Sequence, residues 1–316
     1  MISFGIDIGG TFVKVLALNE KGEVLKNEKF ETPLKFSGQK FIKFLADIVN
    51  AWKKELKIKQ GVIGLGIAGN TDHKNGILRS APNIPWRNLK IAEGLKNLTG
   101  FNTYASNDAN VAAFGVYKKD LKGKYKDMLV LTLGTGVGGG IIIDGKLYQG
   151  ATGAAGEFGH IKIGDIKTGN LCGCGARGCL EGYACTSNLK KLTLQAAKEN
   201  PKSKLAVLLK KEEFSPKLLS EAAKAKDKLA LSVWQKYGTW LGLAIANFVV
   251  LFNPQAIVLS GGISAAKDYF MPSLKAVLKQ QTMKALFKDL KILFSKTKDI
   301  GAVGAALYAL SVDDEK

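Results

Sequence analysis

One structural pattern occurs twice along the 316 residues and constrains the possible folds more than any other feature. Each copy consists of an apolar strand, a glycine-rich turn, a second apolar strand and a tight hairpin into a third strand. The first copy covers residues 2–30 and the second covers residues 128–149, with their glycine turns at 9–10 and 134–140. A repeated unit of this kind predicts a duplicated α/β architecture.

The spacing of apolar residues predicts the remaining main elements. Helical spacing appears over residues 37–57 and over a long stretch from about 187 to 250. Short apolar runs at 62–67 and 256–259 predict strands, and residues 300–310 predict a tightly packed final helix rich in small residues. The length suits two domains, which we expect at 1–115 and 116–299 around a central cleft, because no low-complexity linker separates them.

Composition and charge narrow the functional classes. The formal net charge is +19, but 43 lysines stand against three arginines, whose planar fork is the group favoured in base and phosphate recognition. The lysines are scattered among acidic residues, so we expect a solvated surface and no nucleic-acid partner. No signal peptide is recognisable, and the longest apolar run, 241–252, is too short to span a bilayer. These features predict a cytoplasmic protein without a membrane partner.

The first glycine turn has the sequence Asp7-Ile-Gly-Gly-Thr-Phe-Val-Lys14. Two glycines allow backbone N–H groups to approach an anion, and Thr11 adds a hydroxyl group. Lys14 supplies positive charge, and Asp7 at a strand end can hold Mg²⁺. An ordinary hairpin turn is the alternative interpretation.

The second glycine turn, residues 134–140, contains Gly-x-Gly-x-x-Gly. Its residue pattern suggests a dinucleotide site, but that fingerprint must open a helix, and here an apolar strand and a hairpin follow. A P-loop is excluded because no Gly-Lys-Ser/Thr follows. The remaining interpretation is a second phosphate-binding turn, and two such turns suit a triphosphate.

Asn107 and Asp108 precede a helix that is predicted to start near Val111. Either residue type makes a good helix N-cap, which is the structural interpretation. The functional interpretation is a carboxylate that accepts the proton of an attacking hydroxyl group in phosphoryl transfer.

All four cysteines fall within fourteen residues, 172–185. Together with His160, Cys172, Cys174 and Cys179 form a set of four N/S ligands, the usual number in a closed structural zinc site. The alternative is a group of reduced free thiols. Cys185 is predicted to be a packing residue, and His73 a turn residue.

In combination, these motifs resemble those of the ROK family of sugar kinases and related repressors, from Asp7 to the final helix. The resemblance implies a duplicated actin-like, ribonuclease-H-like fold with ATP bound between two domains. It also implies that the helix at about 300–316 packs back on the N-terminal domain.

Residue roles follow from the same resemblance. Asp108 would be the catalytic base, and sugar hydroxyls would be held by Asn83, Asn107, Asp108, Glu157, His160 and Glu181. ATP and Mg²⁺ would contact Asp7, Gly9, Gly10, Thr11, Lys14, Gly134, Thr135, Gly136, Gly261 and Gly262. Structural Zn²⁺ would be bound by His160, Cys172, Cys174 and Cys179.

The expected reaction is phosphorylation of a hexose, with glucose and its 6-hydroxyl group as the first choice. Fructose, mannose, allose and N-acetylhexosamines stay open, as does polyphosphate as the donor. One departure is Ala68-Gly69, where the family often has Pro-Gly. A sugar-responsive repressor is the alternative from another class, but Asp7 lies too near the start for a preceding helix-turn-helix domain. A homodimer is suggested by family habit alone.

Overall fold

The computed structural model describes residues 1–315. The strands are β1 (Ile2–Ile8), β2 (Phe12–Leu18), β3 (Val24–Glu31), β4 (Gly61–Ile67), β5 (Asn70–Asp72), β6 (Ile77–Ser80), β7 (Asn102–Asn107), β8 (Met128–Leu133), β9 (Val137–Ile143), β10 (Lys146–Tyr148), β11 (Ala256–Ser260) and β12 (Lys291–Phe294). The predicted strands at 62–67 and 256–259 are therefore confirmed as β4 and β11.

The α-helices are α1 (Gly38–Glu55), α2 (Ile91–Thr99), α3 (Asp108–Gly115), α4 (Glu181–Ala184), α5 (Thr186–Glu199), α6 (Lys204–Leu208), α7 (Pro216–Lys224), α8 (Lys228–Phe252), α9 (Lys267–Gln281), α10 (Lys284–Phe287) and α11 (Ile300–Asp314). A π-helical turn, Val116–Asp120, continues α3, and 3₁₀ turns lie at Phe158–His160 and Gly262–Ala266. Within residues 1–315, none of the helices is both long and apolar enough to span a lipid bilayer.

Two five-stranded sheets have the same arrangement. Their strand orders are β3-β2-β1-β4-β7 and β10-β9-β8-β11-β12. In each sheet the strand that comes first in the chain is central, the next two strands lie on one side, and two later strands lie on the other. The duplication that the repeated pattern predicts is therefore confirmed, and it is the actin-like, ribonuclease-H-like fold that the family resemblance implies.

The chain divides into two compact units. The first comprises residues 1–129, 140–156 and 296–316, and the second comprises residues 130–139 and 157–295. The expected division after residue 115 differs from these bounds, since 116–129 and 140–156 pack with the first unit.

The first unit is built on strands with buried apolar side chains. β1 pairs in parallel with β4, and β4 pairs in parallel with β7. α11 packs closely on this sheet because glycines face it: a Cβ on Gly5 would lie 1.9 Å from the Ala302 carbonyl oxygen, and a Cβ on Gly64 would lie 1.8 Å from that of Ala305. Parallel pairing places the carboxyl ends of β1, β4 and β7 at one edge of the sheet.

The helical stretch predicted at about 187–250 lies in the second unit. It consists of four separate helices, α5, α6, α7 and α8. Ser203, Ser215 and Asp227 each accept a hydrogen bond from a backbone N–H three residues later, so each caps a new helix. α8 packs tightly on α9, since a Cβ on Gly238 would lie 2.2 Å from the Phe270 carbonyl oxygen.

Candidate functional site

The first glycine turn joins β1 to β2 in the first unit. The Gly9 N–H donates to the Phe12 carbonyl oxygen at 3.0 Å and closes the turn. A Cβ on Gly10 would lie 2.6 Å from Cβ of Asn83, so only glycine fits there. Thr11 is exposed at the tip. The predicted phosphate turn and the predicted sugar residue Asn83 are thus in direct contact.

Asp7 and Asp108 lie at the carboxyl ends of β1 and β7. Between these strands runs β4, where Gly66 is paired with Asp7 on one side and with Ser106 on the other. A Cβ on Gly66 would lie 3.5 Å from Cα of Asp108. The two carboxylates therefore belong to one edge of the sheet, with no side chain on the intervening residue.

The protein environment raises the pKa of both carboxyl groups. Burial, and then the charge of Asp108, raises the pKa of Asp7 from 3.8 to about 6, against a lowering by Lys14. Burial also raises the pKa of Asp108, against hydrogen bonds from backbone N–H groups and from Asn107. Both residues keep some accessible surface. Partly exposed carboxyl groups with a raised pKa are candidates for a functional site. A carboxyl group whose pKa lies closer to neutrality is a better general base.

Asn107 is the N-cap of α3. Its side-chain oxygen accepts from the N–H groups of Ala109 at 2.9 Å and Asn110 at 3.2 Å, and its amide donates to the Gly69 carbonyl oxygen at 3.3 Å. The helix begins at Asp108, three residues before the predicted start. Asp108 is therefore not the cap.

Lys14 has an acidic partner that the sequence did not indicate. Its Nζ lies 2.9 Å from a carboxylate oxygen of Asp299, whose other oxygen accepts from Asn27 at 3.2 Å. Burial works to raise the pKa of Asp299, but these hydrogen bonds and the Lys14 charge lower it overall. Asp299 immediately precedes α11 and lies far from Lys14 in the chain, so no local spacing signals the contact.

The second glycine turn lies in the second unit. The Gly134 N–H donates to the Gly136 carbonyl oxygen at 3.0 Å, and the Gly134 carbonyl oxygen accepts from both the N–H and the hydroxyl group of Thr186. Thr135 is exposed at the tip. Gly261 has φ of +90°, and a Cβ there would lie 2.3 Å from the Leu133 carbonyl oxygen. Gly262 has open space on that side.

His160, Cys172, Cys174 and Cys179 come together as one group. Their candidate ligand atoms all lie within 4.8 Å of one another. The Sγ atoms of Cys174 and Cys179 are 3.8 Å apart, and Sγ of Cys172 lies 3.6 Å from Nδ1 of His160. A tetrahedral zinc with Zn–S of about 2.3 Å and Zn–N of about 2.0–2.1 Å requires separations of about 3.8 and about 3.6 Å. The group fits a structural zinc site.

The local chain geometry supports this fit. Gly175 and Gly178, with φ of +86° and +79°, turn the backbone around the group. Burial raises the pKa of the Cys172 thiol to about 12, whereas the Ala176 N–H helps to lower the pKa of the Cys174 thiol. Metal binding would release the remaining thiol protons. Cys185 lies apart, with its Sγ 3.2 Å from the Ser187 hydroxyl group.

Two glutamates adjoin this group. Nε2 of His160 lies 3.8 Å from a carboxylate oxygen of Glu157. Nδ1 of the ring therefore faces the cysteines, and Nε2 faces Glu157. Oε1 of Glu181 lies 3.5 Å from Sγ of Cys172, and its Oε2 accepts from the Val137 N–H at 2.9 Å. Glu181 thereby connects the Cys/His group to the second glycine turn.

Each unit thus assembles its own part of the predicted set. The first unit contains the first glycine turn with Asp7 and Lys14, together with Asn83, Asn107 and Asp108. The second unit contains the other predicted residues, from Gly134 to Gly136 and from Glu157 to Gly262. His73 lies in the turn between β5 and β6, with its Nδ1 buried near Gly153.

Comparisons with known proteins match the chain to one protein family and to solved structures. The model of the ROK family matches residues 3–312. The glucokinase of Halalkalibacterium halodurans is 37% identical over 286 residues, which cover 86% of this chain and 83% of the relative. The xylose repressor of Caldicellulosiruptor bescii is 30% identical over 313 residues, covering 98% and 78%. The crystal structure of a ROK family glucokinase from Streptomyces griseus in complex with glucose and AMPPNP superposes with a TM-score of 0.82 at 32% identity, covering 98% of this chain and all of that one.

Proposed function

Because the chain belongs to the ROK family, we propose that it is an ATP-dependent kinase that transfers the γ-phosphoryl group of ATP to a hexose hydroxyl group. The observation that carries this proposal is the position of Asp108 and the environment of its carboxyl group. Its carboxyl group stands at the start of α3 with a raised pKa, while Asn107 takes over the capping of the helix. Asp108 is thereby left available to act as a base.

In the proposed reaction, Asp108 accepts the proton of the attacking sugar hydroxyl group. A general base of this kind contributes about 10²–10⁴-fold in rate. Asp7 would hold Mg²⁺, which neutralises phosphate charge when bound. Lys14 and the backbone N–H groups of the two glycine turns would bind the phosphates, and Gly261 and Gly262 would approach the adenosine.

Zinc would have a structural role. With four protein ligands it keeps no open position for a substrate. Held by the three cysteines and Nδ1 of His160, it would fix the imidazole so that Nε2 faces the sugar. Glu157 and Glu181, which adjoin the same group, would accept hydrogen bonds from sugar hydroxyls.

Glucose, phosphorylated at its 6-hydroxyl group, is the proposed acceptor. The glucokinases among the relatives support this choice. Fructose, mannose, allose and N-acetylhexosamines are alternatives. Two segments next to proposed sugar contacts bear on this choice: residues 81–86, which include Asn83, and Ala68-Gly69, where the Gly69 carbonyl oxygen accepts from the Asn107 amide. Polyphosphate is an alternative donor.

A second candidate is a sugar-responsive regulator, which the similarity to a xylose repressor supports. Such a protein binds its sugar without turning it over. The presence of Asp108, Asp7 and Lys14 in their present arrangement favours the kinase.

A coupled assay of ADP release distinguishes the two. Zinc-loaded protein with ATP and Mg²⁺ is tested against a panel of hexoses and N-acetylhexosamines, with calorimetric sugar binding measured in parallel. Sugar-dependent ADP release identifies a kinase, and kcat/KM ranks the acceptors. Sugar binding with neither ADP release from ATP nor formation of a sugar phosphate from polyphosphate would favour the regulator.

A further inference from the structure

We propose that Lys162 is a positioning residue of the zinc site, which compensates the charge of the metal–thiolate group and retains the metal through Cys179. This inference rests on the proposed zinc site. It concerns a residue that belongs neither to the ligand set nor to the proposed substrate contacts.

The first support is a direct contact. Nζ of Lys162 donates a hydrogen bond to Sγ of Cys179 at 2.7 Å. Hydrogen bonds from an ammonium group to an anionic acceptor are among the strong ones in proteins. Lys162 is an exposed residue, yet its charged end lies on the sulfur atom.

The second support is the backbone that fixes this contact. Lys162 and Cys179 face each other in an isolated antiparallel bridge. The flanking hydrogen bonds run from the Ile163 N–H to the Gly178 carbonyl oxygen and from the Leu180 N–H to the Ile161 carbonyl oxygen, each at 2.9 Å. Lys162 and Cys179 are therefore a non-hydrogen-bonded pair, the type in which opposed side chains come closest.

The third support is the charge balance of the site. Three thiolates against the two positive charges of Zn²⁺, with a neutral imidazole, leave one net negative charge. The carboxylate of Glu181, 3.5 Å from Sγ of Cys172, adds a second. Cys179 has no exposed surface, so water cannot solvate its thiolate well. A cation on this sulfur offsets that cost.

The expected consequence concerns metal retention. Groups that hydrogen-bond to metal ligands typically contribute 10–100-fold to metal affinity. Lys162 would act on the sugar site only through Cys179 and the metal, so its replacement should leave the turnover of zinc-saturated protein close to that of the wild type.

The test measures zinc affinity by competition with a chromophoric chelator, without any assay of turnover. The variants are Lys162→Met, Lys162→Arg as the charge-preserving rescue, and Lys167→Met as the control. Lys167 is an exposed lysine of the same loop, so its replacement removes the same charge from this loop and leaves Lys162 in place. We expect about 10–100-fold weaker zinc binding for Lys162→Met, partial recovery for Lys162→Arg and no change for Lys167→Met.

Cobalt substitution provides a spectroscopic readout that a change in folding stability does not mimic. Loss of the hydrogen bond makes the thiolate a stronger donor, so the sulfur-to-Co²⁺ charge-transfer band of Lys162→Met should move to longer wavelength. Wild-type zinc affinity and an unshifted band in Lys162→Met would overturn the role of Lys162 and leave the zinc site intact. Wild-type protein that binds no zinc would overturn the zinc site itself and this inference with it.

Discussion

The carboxylate of Glu181 accepts a hydrogen bond from the Val137 N–H at 2.9 Å, while its other oxygen lies 3.5 Å from Sγ of Cys172. One side chain therefore contacts both the proposed phosphate turn and the proposed zinc group. Any change that displaces this carboxylate should affect both.

Gly136 tests this link most simply. A Cβ at this position would lie 2.6 Å from Oε2 of Glu181, so Gly136→Ala should push the carboxylate off the Val137 N–H. We expect a loss of about 1–3 kcal/mol in the free energy of unfolding, measured in denaturant without ligands. Gly134→Ala is the matched control, because nothing lies within 4 Å of its Cβ. Equal stabilities of the two variants would contradict the link.

Substitution of single cysteines should distinguish the zinc ligands from Cys185, which is not a ligand. Cys179→Ser should lose the bound zinc, lower the melting temperature and raise KM for the sugar, because His160 and Glu181 lose their support. Cys185→Ser should keep one zinc per chain, since Cys185 lies outside the group. Metal content by mass spectrometry of the native protein and calorimetric melting provide the measurements. Retention of zinc by Cys179→Ser, or its loss in Cys185→Ser, would show that the ligand set is wrong.

The raised pKa of Asp7 predicts a pH-dependent stability. The folded state holds this proton more tightly than the unfolded chain, so the stabilisation is complete below about pH 4 and is lost as the pH rises through about 6. A shift from 3.8 to about 6 corresponds to at most about 3 kcal/mol. Urea unfolding between pH 4 and 7 without Mg²⁺ should show this decline, and Asp7→Asn should reduce it.

The control for this pH series is Asp47→Asn, at an exposed position on α1 where the carboxylate faces Lys43. Its profile should follow that of the wild type. An Asp7→Asn profile with the same decline as the wild type would mean that another group is responsible.

The sequence allowed prediction of those parts that depend on local pattern. Two glycines between apolar strands predict a turn from their conformational freedom alone. One histidine with three closely spaced cysteines predicts a ligand group, because the chain segments between these residues are short. The same holds for β4 and β11, whose apolar runs are continuous.

The contacts made between distant segments were not predictable in this way. The Lys14–Asp299 pair joins residues from opposite ends of the chain, and the Lys162–Cys179 pair depends on the register of a short bridge. The division of the helical stretch at 187–250 into separate helices was not predicted, because a cap such as Ser215 starts a new helix without changing the apolar spacing.

Asp108→Asn tests the central claim most directly, since the substitution keeps the shape of the side chain and Asn107 continues to cap α3. Turnover with ATP, Mg²⁺ and the preferred sugar is compared with calorimetric sugar binding in the same preparation. The proposal predicts a fall in kcat of about 10²–10⁴-fold with sugar still bound. A kcat close to that of the wild type, with the sugar still bound, would contradict the assignment of Asp108 as the base.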